Sequence, residues 1–424
     1  MLDLELIRRN PEFVSSSLAT RGEDAPVESI LALDAKRREI IQGRDELRSR
    51  RNSVSKDLGR SGERPPDLIQ EMRGLGEEVK RLEEEIRGIE QELEALLSRL
   101  PNIPSKDVPV GADESFNKVL RAHGDIKDFD FEPKPHWDLN EDLGLIDFQR
   151  GVKLSGSRFY VLQGFGAKLQ RALISWMLDT HIEEHAYKEI YPPALVKEEI
   201  MRGSGNLPKF RENLYQDTED DLWLVPSAEV PLTGLHRDEI LDPGLLPVYY
   251  VAYTPCFRRE KASAGRDTRG IKRVHQFDKV ELYKLVEPDK SDQELEALIE
   301  NAEHLLKMLE LPYRVVELCT GDLGFQSAKT YDLEVWAPGS NEWLEVSSCS
   351  NCLDFQARRS NIKFRYEKGG RTEYLHTLNG SGLAIPRIMI AIIETYQQAD
   401  GSVVVPEVLR NYLGMDVISV NKTS

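Results

Sequence analysis

From Leu68 onward the apolar residues fall at Leu68, Met72, Leu75, Val79, Leu82, Ile86, Ile89, Leu93, Leu96 and Leu100, in steps of four and three that alternate without a break. Only a helix that buries one narrow seam along its whole length uses that spacing. Leu33, Ile40, Leu47, Val54 and Leu58 keep the same repeat upstream, with Arg37, Arg44 and Arg51 at the alternate seam positions. Between the two runs, Gly59-Arg60-Ser61-Gly62-Glu63-Arg64-Pro65-Pro66 reads as a breaker that reverses the chain. The expectation is an antiparallel helical hairpin over about residues 28–100. With roughly 30 residues per helix at about 1.5 Å each, it reaches on the order of 45 Å and is too thin to have a globular core of its own. It must project from a larger body.

A formal net charge of -17 argues on average against a polyanionic partner. The average hides a local excess. Between Lys36 and Arg64 there are ten basic residues and five acidic ones, and between Asp67 and Leu100 the numbers are reversed. Pairing between the helices accounts for part of this, and a dimerisation or spacer hairpin would need no more. A polyphosphate crossing the first helix would engage Arg37, Arg44, Arg48 and Arg51, which become the candidate nucleic-acid contacts.

The chain is 424 residues long, enough for two or three units. It opens without a cationic leader and holds no run of about 18 apolar residues, so neither a membrane span nor secretion is expected. Its four cysteines, Cys256, Cys319, Cys349 and Cys352, suit a reducing compartment, and a cytoplasmic protein without a disulfide framework is expected. Cys349 and Cys352 have the spacing of half a zinc ribbon, but no second pair follows, and no zinc site is expected. Pro101, Pro104 and Pro109 punctuate the end of the arm, which gives an N-terminal domain over 1–110 and a second over 111–424. In the latter, helical stretches at Leu169 to Glu184, Ser291 to Leu309 and Ile385 to Gln397 alternate with β-rich runs at Leu222 to Val225, Val248 to Tyr253, Val280 to Leu285 and Tyr331 to Trp336. Hairpin-like spacing of those runs predicts an α+β fold on an antiparallel sheet.

No phosphate-binding glycine loop of either common type occurs, so any nucleotide must be held by another device. Cys256-Phe257-Arg258-Arg259-Glu260 follows a strand-like run, and a glycine-containing cationic loop leads to Arg269 and on through His275-Gln276-Phe277-Asp278-Lys279-Val280-Glu281. A strand, a cationic loop and a returning strand can grip a triphosphate with guanidinium forks. His275 is a candidate general base, with a structural role in the strand as the preferred reading.

The strings "FRRE", "AGRDTRG" and "HQFDKVELY" resemble the second signature of class II aminoacyl-tRNA synthetases in its seryl form. "NEWLEVSSCSNCLDFQARR" resembles that family's ATP and metal strand, and "TLNGSGLAIPRIMIAIIE" its third signature. "VPSAEVPL" is similar to its amino-acid loop, "YKEIYPP" to its first signature with Pro193 as a dimer-interface proline, and "MLDLELIRRNPEFV" to its opening. The resemblance covers nearly the whole chain and implies a homodimer that activates L-serine with ATP and Mg2+ and transfers it to tRNA(Ser); whether tRNA(Sec) is charged too stays open. Residue by residue, it implies Arg258 at the α-phosphate, Arg387 at the γ-phosphate, Glu260 at the adenine edge, Phe277 on the ring and Val274 as a backbone contact. The same resemblance places Glu345, Val346, Ser347 and Ser348 along the nucleotide, with Glu345 and Ser348 as magnesium ligands. The serine pocket would comprise Ser227, Ala228, Glu229, Arg258, Glu281 and Ser381, with Arg258, Glu260 and Arg387 as the catalytic set. Ser227 stands where the family usually has threonine, and Lys261-Ala262 where it has alanine-glycine. The alternatives are a paralogue that delivers its adenylate to a carrier protein or takes a serine analogue, and a non-catalytic RNA-binding homologue. Joint retention of Arg258, Glu260, Glu345 and Arg387 speaks against the last.

Overall fold

The computed structural model describes residues 1–61, 65–261 and 269–419, apart from the side chains of 58–61. The middle of the expected turn and most of the "AGRDTRG" loop, Ala262 included, lie outside the described residues. The chain divides into two compact units: Leu2–Ala19 with Glu23–Leu100, and Met1 with Thr20–Gly22 and Pro101–Ser424.

In the first unit two short helices, α1 (Leu4–Arg9) and α2 (Pro11–Ala19), precede the long α3 (Val27–Ser61) and α4 (Pro66–Leu97). The breaker expected from Gly59 is shorter than anticipated, because α3 runs through Gly59 and Arg60 to Ser61. A helical glycine costs only about 1 kcal/mol, and Pro66 is tolerated in the first turn of α4, where its missing N–H would have no partner. Leu75, Val79, Leu82, Ile86, Ile89 and Leu93 are buried along α4 as spaced, but next comes Leu97 rather than Leu96. A straight helix drifts by about 20° per heptad against a strict repeat, and a second step of four corrects for it.

The seam of α3 is more dilute: Leu33, Ile40, Leu47 and Val54 are half-buried, as are Arg37, Arg44 and Arg51. Charge pairs cross the hairpin from Lys36 to Glu85 at 3.1 Å, from Arg48 to Glu83 at 2.5 Å and from Arg50 to Glu71 at 2.6 Å. Asp34 is fully buried, accepts hydrogen bonds from Arg37 and Arg38 at 3.1 Å each, and lies 3.4 Å from Arg8 Nε. Without those guanidiniums a buried carboxylate would be strongly destabilising.

Among the described residues the main sheet of the second unit has eight strands: β1 (Lys118–His123), β2 (Lys188–Glu189), β3 (Val248–Phe257), β4 (Gln276–Val286), β5 (Tyr313–Glu317), β6 (Lys329–Ala337), β7 (Glu342–Asn351) and β8 (His376–Ala384). Their order is β1-β5-β6-β7-β8-β4-β3-β2, and every pairing is antiparallel except β2 with β3. The anticipated antiparallel α+β architecture is what forms. Its strands outrun the apolar cores read from the sequence: β3 continues four residues past Tyr253, and β4 starts at Gln276, four before Val280. In the β4 extension Phe277 and Lys279 line a groove.

Helices α5 (Phe165–Glu183), α6 (Glu229–Gly234), α7 (Ser291–Met308) and α8 (Ile385–Thr395) complete the frame. Leu169, Leu173 and Trp176 of α5, Leu298 and Leu305 of α7, and Ile388 and Ile392 of α8 share one apolar cluster with Val280, Leu282, Leu333 and Val346 of the sheet. Among the described residues no helix is long and apolar enough to cross a membrane.

Ile86 is 5% exposed at the middle of the α4 seam. Ile86→Ala should weaken the arm by roughly 2–5 kcal/mol, seen as an earlier helix-loss step in a circular-dichroism melt while the main transition holds its temperature. An unchanged melt would contradict the seam.

Candidate active site

The site is organised by alternation along β4. Phe277 and Lys279 line the groove and alternation puts the buried Glu281 on the same side, while Val280 and Leu282 join the main core. Gln276 pairs with Phe257, so Arg258 leaves β3 where β4 begins. The hairpin is closed by the Arg258 amide donating to the His275 carbonyl at 2.9 Å and by His275 Nδ1 donating to the Arg258 carbonyl at 3.0 Å. That bond occupies the His275 ring with structure, in line with the preferred reading of the sequence.

Arg258 Nε donates to the Pro226 carbonyl at 3.2 Å, and its guanidinium carbon lies 5.1 Å from the centroid of the Phe277 ring. Glu260 has φ 48°, in the left-handed region that a non-glycine residue seldom takes, and its carboxylate lies 3.9 Å from Arg273. The returning end of the loop is braced from below. A Cβ on Gly270 would sit 1.9 Å from His136 Nε2, and that nitrogen accepts from the Ile271 amide at 3.2 Å. The network therefore assigns the proton to Nδ1, which donates to Glu394 at 2.9 Å.

Opposite lies an irregularity in the β6–β7 pairing. Leu333 faces Ser347 and Glu334 faces Glu345, leaving Val346 as the extra residue of a bulge. Three positions apart, Glu345 and Ser348 would point to opposite faces of a regular strand; the bulge turns both to the groove. Arg387, on the first turn of α8, donates to the Glu345 carbonyl at 2.7 Å and lies 3.2 Å from its carboxylate. Burial pushes the Glu345 carboxyl up, but Arg387, Arg258 and Arg273 outweigh it and hold it below its ordinary value. Asp332, paired with Ser348 across the strands, goes the other way: burial and the Glu345 charge raise it well above the carboxylate range. Its Oδ1 is buried without a partner.

Arg258, Glu260, Val274, Phe277, Glu345, Val346, Ser348 and Arg387 thus line one cavity of about 880 Å³. Ser347 does not, since its hydroxyl donates to the Ser381 carbonyl at 2.6 Å. The bulge that turns Glu345 and Ser348 inward turns the Ser347 side chain away, so of Ser347 only the backbone is left to face the groove.

At one end of the groove the Ser227 hydroxyl donates to Glu281 Oε2 at 2.7 Å, and the Lys279 ammonium pairs with the same oxygen. Glu281 is 0% exposed, yet its Oε1 has no partner. It stands opposite Ser381 of β8, which also lines the groove. Glu229, on the first turn of α6, accepts from Gln356 at 2.6 Å and Gln326 at 3.2 Å, and its amide donates to the Ser227 hydroxyl at 3.1 Å. Burial, then the Glu281 charge, raises its carboxyl to about 7. Ala228 is 0% exposed inside an apolar cluster, so only its backbone is available. Ser227, Glu229 and Arg258 also border an adjoining recess of about 300 Å³.

Sequence reasoning passed over Lys279 and Asp332, though both were legible: Lys279 shares a strand face with Glu281, and Asp332 lies inside an anticipated strand. Gln326, Gln356 and the His136–Glu394 brace are remote in sequence and carry no local signal. Cys349 and Cys352 are both buried, Cys349 beside Ser347 and Cys352 beside Asn379. Burial pushes the Cys349 thiol up to about 12. The Glu345 carboxylate, the Ser348 hydroxyl and the unpartnered Asp332 oxygen are hard donors that suit magnesium shared with a triphosphate.

Residues 209–396 match the family model of the tRNA synthetase class II core domain (G, H, P, S and T), and residues 1–104 match that of the seryl-tRNA synthetase N-terminal domain. The chain is 59% identical to the serine–tRNA ligase of Thermomicrobium roseum, over 98% of this chain and 94% of that one. It is 58% identical to that of a Roseiflexus species, over 98% of each. Among solved structures, the seryl-tRNA synthetase from Pyrococcus horikoshii complexed with ATP superposes with a TM-score of 0.92 at 40% identity, covering 100% of both chains.

Glu229 moves from 4.5 to about 7 on folding. The native state therefore keeps a proton that the unfolded chain has lost; this contribution is full below about pH 4.5 and lost as pH rises through about 7. Wild type should lose on the order of 3 kcal/mol from this group between about pH 5 and pH 8, and Glu229→Gln should not. Urea unfolding at stepped pH reads the difference; parallel curves for the two proteins would contradict a burial-raised carboxyl.

Proposed function

The chain belongs to the seryl-tRNA synthetase family, and on that premise we propose how its residues divide the work. It is an ATP-dependent aminoacyl-tRNA ligase, working with ATP and Mg2+, that activates L-serine and transfers it to tRNA(Ser). In our reading Arg258 holds the α-phosphate and the serine carboxylate, the two negative groups that meet when the carboxylate displaces pyrophosphate in line. Arg387 takes the γ-phosphate, leaving the Glu345 carboxylate for a more highly charged partner. Phe277 stacks on adenine, Glu260 accepts from its amino group, and Val274, Val346 and Ser347 offer backbone. Glu345 and Ser348 would hold the magnesium, which neutralises phosphate charge when bound with ATP.

The substrate amino acid occupies the Glu281 end. Its hydroxyl donates to the otherwise unpartnered Glu281 Oε1, beside Ser227 and Ser381, while Glu229 meets the ammonium and Ala228 contributes its backbone. Alanine would leave Glu281 unpaired, which supplies discrimination, and threonine is excluded by size. The terminal ribose hydroxyl of tRNA then attacks the mixed anhydride, a carbon–oxygen ester bond forms as AMP departs, and no covalent enzyme intermediate is needed. Arg37, Arg44, Arg48 and Arg51 meet the tRNA backbone. The surface pairs Arg44–Asp45 and Arg48–Glu83 are exchangeable, because an exposed ion pair is worth at most about 1 kcal/mol, whereas Arg37 can give up Glu90 but keeps its bond to the buried Asp34. A homodimer across the Pro193 segment is supported by its exposed apolar neighbours Tyr191 (87%) and Leu195 (46%). The working compartment is the cytoplasm.

The observation that carries this reading is the convergence of Arg258, Glu345 and Arg387 on one groove, whose lining residues Lys279 and Ser381 neighbour Glu281 and its unpartnered buried carboxylate oxygen. Arg258→Ala should lower serine-dependent ATP–pyrophosphate exchange by at least about 100-fold with the melting temperature unchanged; normal exchange would remove Arg258 from the phosphate. Deleting residues 36–95 should spare exchange and abolish charging, and normal charging by the shortened protein would refute the arm's role.

A further inference from the structure

The loop Leu323–Ser327 borders the groove and belongs to no strand, so its carbonyls need hydrogen-bond donors, of which the Ser327 amide supplies one, to Gly324 at 3.0 Å. Two residues reach all five carbonyls. Arg21 donates from Nη2 to the carbonyls of Leu323 at 2.8 Å and Gly324 at 2.7 Å, and from Nη1 to those of Ser327 at 3.2 Å and Asn102 at 2.7 Å. Asn102 donates its amide to Phe325 at 2.9 Å and its side-chain nitrogen to Gln326 at 2.9 Å. Every carbonyl from 323 to 327 is thereby fixed, and Arg21 also ties down its anchor, Asn102. Thr320 holds the same root by donating to the Thr20 carbonyl at 2.7 Å. The side chain that this loop aims is Gln326, whose amide reaches Glu229 at 3.2 Å.

We infer that Arg21, with Asn102, is a positioning residue for serine recognition: it sets the loop that holds Gln326 against Glu229. The inference rests on the reading of Glu229 as the contact of the substrate ammonium. Arginine suits the task because its planar fork presents five donors in fixed directions, so one side chain spans four carbonyls. Lysine offers a single centre and cannot. Without the clamp the loop carbonyls turn to water, Gln326 loses its aim, and Glu229 keeps only its bond to Gln356. Arg258, Phe277 and Arg387 take no support from this loop, so the nucleotide side should not notice.

The test is ATP–pyrophosphate exchange with the full chain, titrating serine at saturating ATP and ATP at saturating serine. Arg21→Ala should raise the serine KM about tenfold with the ATP KM within about twofold, and Arg21→Lys, which keeps the charge and the fold, should fall between. Gln326→Leu should produce a similar rise, and the double variant no more than the larger single effect, because both act through one contact. A serine KM unmoved in both Arg21 variants, an equal rise in both KM values, or additive effects of Arg21 and Gln326 would overturn the inference. Glu229→Gln separates the two claims. If it raises the serine KM while the Arg21 variants do not, only the clamp falls; if it leaves the serine KM unchanged, the pocket reading falls and takes the clamp with it.

Discussion

The second unit depends on the double pairing of Gln276–Val286, bonded to Val248–Phe257 on one side and His376–Ala384 on the other. Side chains alternate with a period of two, so a slip of one residue would send Phe277, Lys279 and Glu281 into the core and expose Val280 and Leu282. The register is held by apolar burial: Val280 and Leu282 are both 0% exposed, in one cluster with the helices behind the sheet. Hydrophobic packing thus decides where the charged residues point. The irregularity after Lys279 in the pairing with His376–Ala384 then brings Ser381 opposite Glu281.

Two carboxylate environments separate within this frame. Glu345 stands among Arg387, Arg258 and Arg273 and stays ionised although burial opposes it. Glu229 has Glu281 as its neighbour and Lys279 as the nearby cation, and burial carries it to about 7. Two carboxylates sharing one ammonium cannot both carry charge cheaply, and in the reading proposed above the substrate ammonium would be the missing cation. The arrangement favours a cationic ligand at one end of the groove and polyphosphate at the other.

Much of this was legible in the sequence, and what was not has physical causes. Alternating steps of four and three gave the arm because a helix translates spacing directly into a buried face; only the late shift from Leu96 to Leu97 and the persistence of α3 through Gly59 escaped. The cationic hairpin and its arginines were legible because β3, its loop and β4 are contiguous. The outward turn of the Ser347 side chain was not legible because a bulge depends on the partner strand, which no local pattern records. Arg21, Asn102 and Gln326 were invisible for a related reason: their bonds join positions 81 to 306 residues apart.

The arm and the catalytic unit solve different problems with the same residue types. In the arm, arginines sit half-buried at a seam or pair with carboxylates at the surface, as Arg48 does with Glu83, where an ion pair is worth little. In the groove they are held by backbone carbonyls, as Arg258 is by Pro226 and Arg387 by Glu345, which fixes them before a substrate arrives. The central claim is that this fixed groove is built for serine and for nothing smaller or larger. The most direct measurement is ATP–pyrophosphate exchange with each of the twenty amino acids, run beside charging of total tRNA. The account predicts that serine alone supports both; efficient exchange with alanine or threonine, or exchange with serine that never yields charged tRNA, would contradict it.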